Sequence, residues 1–256
     1  MKRSILTLVT MLAGATPAFA HVQTIDYPTF SHVSAFTFNG SATQQTGTTG
    51  SPVIRLTPSS GGKSGAAYLT TPIALDGRQA FETKFQFQIH NGSSTDQWSD
   101  GLTFVITATP SEIGARNETG SYIGYNTDPD SVAVAFDTCA YGNEVGVVTN
   151  GNLSTLGTVS SAWGYPYGLK GSCGVNGPQP TGWLADGDIW TADIRYDGTY
   201  FNIRVEDGTS GISKVVSDYR LKISTALGSG PIYVGFTAGT GLGYADYDIL
   251  DWKMVY

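Results

Sequence analysis

From Phe81 to Ile89 apolar residues occupy the odd positions, except for Thr83, and polar ones the even positions. That period of two predicts a strand with one buried face. Leu102 to Ile106 and Ser131 to Phe136 are more continuously apolar, which predicts strands covered on both sides. Trp190 to Tyr196, a turn at Asp197-Gly198, and Tyr200 to Val205 predict a β-hairpin. Ile232 to Phe236 and Asp248 to Trp252 read as the closing strands. No window of about 12 residues keeps a helical period, and the chain shows neither linker nor repeat. Many short strands in one stretch of this length predict a single β-sandwich or barrel domain around one core.

Composition narrows this. Charged residues make up 14% of the 256, with 33 Gly, 14 Tyr, 11 Phe and 5 Trp, against roughly 25% charged in ordinary globular chains. So little charge excludes a coiled coil or helical bundle, and the aromatic content argues against disorder. A net charge of −7 argues against nucleic acid as a partner. Lys2 and Arg3, the apolar run Ile5 to Leu12, and Ala18-Phe19-Ala20 predict a signal peptide over residues 1–20, with a mature domain over 21–256. The run is too short to span a bilayer, and no membrane span is expected elsewhere. The expected location is secreted or periplasmic. Removing the signal sharpens the net charge to −9. In an oxidising compartment the two cysteines, Cys139 and Cys173, predict one disulfide, the alternative being two buried thiols.

Four segments, in order, carry a resemblance. They are Phe36 to Ala42 with Ile54 to Thr57; Ser99-Asp100-Gly101 running into Leu102 to Ile106; Tyr122 to Tyr125 followed by Val132 to Thr138; and Val234 to Gly241 ending at Ile249 to Trp252. Over about residues 27–256 the chain resembles the legume-type (L-type) lectins in their bacterial branch, within the concanavalin A-like superfamily. The resemblance implies an all-β jelly-roll sandwich of two large antiparallel sheets, with a sugar site on loops at the edge of the concave sheet. It implies a glycan or polysaccharide as partner, and a homodimer through the flat back sheet, as is common in the family.

The resemblance makes Asp100 the sugar-binding carboxylate. It lies in a polar turn, Asp96 to Gly101, where it can accept charge-assisted bonds from vicinal hydroxyls; the competing reading is an Asp that only caps the turn. Gly120-Ser121 stands where the family presents a backbone N–H to the ligand. Leu242-Gly243 matches the variable specificity loop; Asp246 after it reads as a solvated surface residue. Where the family has a Glu bound to metal this chain has Ala135, and only Asp137 remains. The family's next ligand is an Asn touching both Ca²⁺ and sugar; Tyr141 stands at its spacing, with Asn143 nearby, and Glu144 stands at the family's His. The transition-metal site is expected to be lost. A Ca²⁺ site needs about 6–8 oxygens, of which Asp137, Asn143 and Glu144 supply some, and the reading favours a metal that has been replaced. The stretch from about 160 to 183 looks inserted and carries Trp163, Tyr165, Tyr167 and Trp183. The expectation is that Cys139–Cys173 staples it beside Asp100, so that Trp163, like Trp98, can stack on a pyranose face.

Catalysis is not expected. Related sandwich hydrolases carry Glu-x-Asp-x-x-Glu, and both Glu positions here are Ala135 and Ala140. Of the mature histidines, His21, His32 and His90, none lies in a motif, and His21 reads as a cleavage residue rather than a copper ligand. Two functions remain: a non-catalytic exported lectin, or a structural or adhesive sandwich that has lost the metal-dependent sugar site.

Overall fold

The computed structural model describes residues 22–75, 80–110, 118–126, 128–139, 143–155, 176–179, 181–228 and 230–256. They form two antiparallel sheets. The larger has eight strands: β12 (Ser213–Arg220), β11 (Tyr200–Asp207), β10 (Ile189–Tyr196), β6 (Phe81–His90), β14 (Asp246–Val255), β4 (Pro52–Thr57) and β3 (Thr43–Thr46) in that order, with β1 (Thr24–Tyr27) also on β14. The smaller has six: β2 (Phe36–Gly40), β5 (Ser64–Leu69), β13 (Tyr233–Gly239), β7 (Gly101–Thr107), β8 (Ser131–Asp137) and β9 (Glu144–Thr149).

The alternation along β6 does what its period predicts. Phe81, Thr83, Phe85, Phe87 and Ile89 are buried while Glu82 and Lys84 face solvent. Its inward side meets the inward side of the six-stranded sheet. Phe236 lies between them, with ring centroids 5.0 Å from Phe85, 5.7 Å from Phe104 and 5.1 Å from Trp252, the edge-to-face contacts that aromatic quadrupoles prefer. Strands β7 and β8 are buried at every residue, because the six-stranded sheet has an apolar layer on its other face too. Ala66, Val105, Ala133, Ala135 and Val148 meet Ile123, Tyr125 and Leu153 there.

The hairpin forms as expected, and its turn is closed by Asp197, whose Oδ1 accepts the N–H groups of Thr199 and Tyr200. The last strand is longer than its apolar run. β14 reaches from residue 246 to 255 because two partners share one of its edges, β4 against Tyr247 to Ile249 and β1 against Trp252 to Val255. Beyond that pairing, Gln23 and Tyr256 exchange both backbone hydrogen bonds (2.8 and 3.1 Å). A single turn of α-helix, α1 (Ser224–Leu227), is the α-helix among the described residues, and no helix there is long and apolar enough to cross a membrane.

Candidate functional site

Asp100 sits where the turn 96–99 enters β7. Its N–H donates to Gly239 O (3.0 Å), its carbonyl accepts the Thr138 N–H (2.8 Å), and the Ser99–Asp100 peptide is cis. The side chain is buried, and its Oδ2 makes no hydrogen bond among the described residues. The β7–β8 register sets Gly101 opposite Asp137, bringing the second carboxylate close. Burial first, and then the Asp137 charge, push the Asp100 carboxyl from 3.8 up to about 7, against a smaller pull from the Gly241 N–H. A buried acceptor without a donor is costly.

Two backbone segments wall this oxygen. One is a 3-10 turn, Gly120–Tyr122; the other is the loop from residue 240 to 245, joining β13 to β14. A Cβ on Gly241 would lie 2.9 Å from Asp100 Oδ2 and 3.2 Å from Gly120 Cα, and one on Gly243 would collide with Gln97 O and Ser99 Oγ. Glycine is required at both positions because the loop packs backbone-first against the Asp100 turn. Leu242 between them is 95% exposed and Tyr122 50% exposed, so each of the two segments carries one exposed apolar side chain. Tyr122 as an exposed neighbour of this turn was not anticipated from sequence, although it opens the Tyr122 to Tyr125 segment.

Several sequence expectations change here. The Gly120 N–H is not offered to a ligand; it donates to Thr240 O (2.9 Å), while Ser121 and Tyr122 of that turn are exposed. Trp98 is buried, and its indole N–H donates to Ser93 O (2.9 Å), so its ring supports the Asp100 turn from below rather than presenting a stacking face. Trp183 is buried as well. Asp246 is not a solvated surface residue. It is 3% exposed, with Ser59 N–H, Asn91 Nδ2 and Arg55 on its oxygens. The described end of the inserted stretch does reach the site's supporting turn: Gly177 bridges Gln97 in parallel, and its N–H donates to Asp96 O (3.0 Å). Tyr141, Trp163 and Cys173 lie outside the described residues. Cys139 is buried, and no cysteine among the described residues is free.

The implied metal ligands form a depleted set. Ala135 offers a methyl within the outer apolar layer. Asp137 Oδ1 accepts the Cys139 N–H (3.0 Å), and Asn143 Oδ1 accepts the Leu184 N–H (2.8 Å). Glu144 faces Asp137 across β8 and β9. A Ca²⁺ ion needs about 6–8 oxygens turned to one centre; here Ala135 supplies none, and Asp137 Oδ1 and Asn143 Oδ1 are each taken by a backbone amide. Among the described residues, a trio of acidic groups with ligand oxygens within 4.8 Å of one another occurs elsewhere, at Asp186, Asp188 and Asp207. Those oxygens organise turns. Asp186 accepts from the Gly182 and Asp188 N–H groups and the Trp190 indole, and Asp207 from the Thr209 N–H and the Ser210 hydroxyl.

Comparison with known proteins gives one family and one fold. The family model described as the legume lectin domain matches residues 23–255. The chain is similar in structure to peanut lectin solved with a nonamer peptide (18% identity, 92% of this chain and 97% of that one, TM-score 0.70). It is similar also to the Bauhinia forficata lectin solved with GalNAc (21% identity, 91% and 97%, TM-score 0.64). A third is arcelin-5, a lectin-like defense protein from Phaseolus vulgaris (19% identity, 92% and 98%, TM-score 0.67). No curated protein sequence matches the chain.

Proposed function

We propose, from the premise that this chain belongs to the legume lectin domain family, that it is an exported, non-catalytic lectin whose glycan site centres on Asp100. Carbohydrate binding is the activity of the family, and the observation that carries the finer reading is Asp100 Oδ2. It is a buried acceptor without a hydrogen bond among the described residues, beside the backbone of Gly120 and Gly241. Vicinal sugar hydroxyls supply two donors to such a carboxylate, and the exposed side chains of Tyr122 and Leu242 suit the C–H face of a pyranose ring. No acid–base pair for hydrolysis accompanies it, since the strand that bears the hydrolase carboxylates has Ala135 in their place.

The site works without a bound metal in this reading, and the same donor set speaks for that. A Cys139–Cys173 disulfide orders the segment between β8 and β9 instead, contributing roughly 3–4 kcal/mol through the loop it closes. Export follows from residues 1–20 as a cleaved signal. A glycan array, including terminal GalNAc, probed with wild type and Asp100→Ala tests the proposal. Binding by wild type that the variant abolishes is the expected result. A blank array for wild type would instead favour the second reading, a structural or adhesive sandwich, for which the loss of the metal ligand at Ala135 is the supporting observation.

A further inference from the structure

The loop from 240 to 245 crosses from the six-stranded to the eight-stranded sheet, with one internal bond from Gly241 N–H to Gly243 O (3.1 Å). Besides the Gly120 N–H on Thr240 O (2.9 Å), two neighbouring segments hold it. From the first, residues 58–63, Gly62 N–H donates to Gly241 O (2.9 Å), and Thr240 N–H donates to Lys63 O (2.8 Å). The Thr240 hydroxyl donates to Ser60 O (2.7 Å) and accepts from the Lys63 N–H (3.0 Å). From the second, residues 91–93, Ser93 N–H reaches Tyr244 O (3.4 Å).

Both segments are fastened at one buried carboxylate. Asp246 Oδ1 accepts the Ser59 N–H (2.6 Å), and Oδ2 accepts Asn91 Nδ2 (3.0 Å). Arg55 Nη1 lies 3.0 Å from that same Oδ2, while its Nε and Nη2 fork onto Asp248 at 2.8 Å each. His90 Nε2 closes the group on Asp248 Oδ2 (2.8 Å). Three strands therefore meet in one desolvated ionic knot: β4 brings the guanidinium, β6 the imidazole and β14 both carboxylates. Burial alone would raise the Asp248 carboxyl, but the Arg55 and His90 hydrogen bonds hold it below its ordinary range. A guanidinium can span two carboxylates with a fixed planar fork, which an ammonium cannot do.

We propose that Arg55 and Asp246 are positioning residues for the sugar-binding loop: the Arg55-held Asp246 carboxylate gathers the 58–63 and 91–93 segments and so sets how closely Gly241 approaches Asp100. The idea rests on the lectin reading for what the loop binds, and on the hydrogen bonds alone for how the loop is held. Its consequence is that an interaction outside the sugar site, made by side chains that never touch sugar, fixes the approach of Gly241 to Asp100. Packing the Gly241 backbone against Asp100 leaves no slack, because even a Cβ there would crowd Oδ2 at 2.9 Å.

Amide hydrogen exchange on the full chain tests it without any ligand. Asp246→Asn keeps an oxygen for the Ser59 N–H but removes the charge that Arg55 holds. Arg55→Lys keeps a positive charge but loses the fork, and serves if the first variant folds poorly. The expected result for both is exchange about tenfold faster at Gly62, Thr240 and Gly241, with β7 and β13 amides changed by less than about twofold. Unchanged loop exchange overturns the proposal. So does equal acceleration throughout β7 and β13, which would make the knot a matter of global stability. The same variants on the glycan array should lose signal in parallel with Asp100→Ala. A blank array for the wild type would overturn the lectin reading and leave the exchange result to decide the clamp.

Discussion

A carboxyl buried beside a second carboxylate is easier to fold around while it keeps its proton. Folded Asp100 holds its proton up to about pH 7, whereas the unfolded chain releases it near 3.8. Between those values the folded state binds more protons than the unfolded one, so this group makes stability fall as pH rises through the window. Asp100→Asn stays neutral throughout and should remove that slope. Thermal melts between about pH 5 and about pH 8 should show the wild type losing Tm with rising pH and the variant losing less; parallel curves would assign the slope elsewhere. Glycan affinity should run the other way, strengthening as pH rises through about 7, because the ionised form is the better acceptor of hydroxyl bonds. Asp100 was singled out in the sequence by the family resemblance of the Ser99-Asp100-Gly101 segment; the polar turn alone left turn capping as the competing reading. Its electrostatics were not legible there, since they depend first on burial and then on Asp137, which only the assembled sheets and the β7–β8 register supply. The Gly120 amide was equally illegible, because what a backbone N–H donates to depends on how separate segments pack.

Elements divide the work between core and site. Phe236 on β13 touches aromatic rings from β6, β7 and β14, so it bonds the two sheets at their centre. Phe236→Ala should cost about 3–5 kcal/mol in urea unfolding, and a loss below about 1 kcal/mol would mean the sheets repack freely around the gap. The neighbouring pair β8 and β9 carries the other test. Their facing residues Asp137 and Glu144 stand beside Ala135 and Asn143, a set short by one carboxylate and with two oxygens already taken by backbone amides. EDTA should therefore leave both Tm and array binding unchanged, while a reductant lowers both; loss of binding on chelation would sink the metal-free reading. Strand patterns were readable in β6, β7 and β8 because burial on one or both faces writes itself into the period. The full length of β14 was not, because pairing with β4 and β1 lengthens it beyond its apolar run without any apolar signature.

At the scale of the whole molecule, long-range pairing decides what local pattern leaves open. Arg55 and Asp248 meet across a sequence separation of 193, and no spacing rule could join them, which is why Asp246 looked like a solvated surface residue until the strands were assembled. The two-layer sandwich itself was legible, because it follows from the count and character of the strands and from four segments in order. The closing of the sheet by β1 has a consequence for presentation. β14 starts at the sugar loop and ends beside Gln23, about 30 Å away at the rise of an extended strand, so residues 23 and 256 leave the domain together at the pole opposite Asp100. Anything fastened to either end, a surface, a second domain or a biosensor chip, holds the domain like a stalk and leaves the 240–245 loop at the far end. Capture through a C-terminal tag should give the same glycan affinity as the free protein in solution, while random coupling through lysines should lose part of the active fraction. Orientation is thus a property of the fold: the strand that builds the loop also points it away from whatever carries the chain.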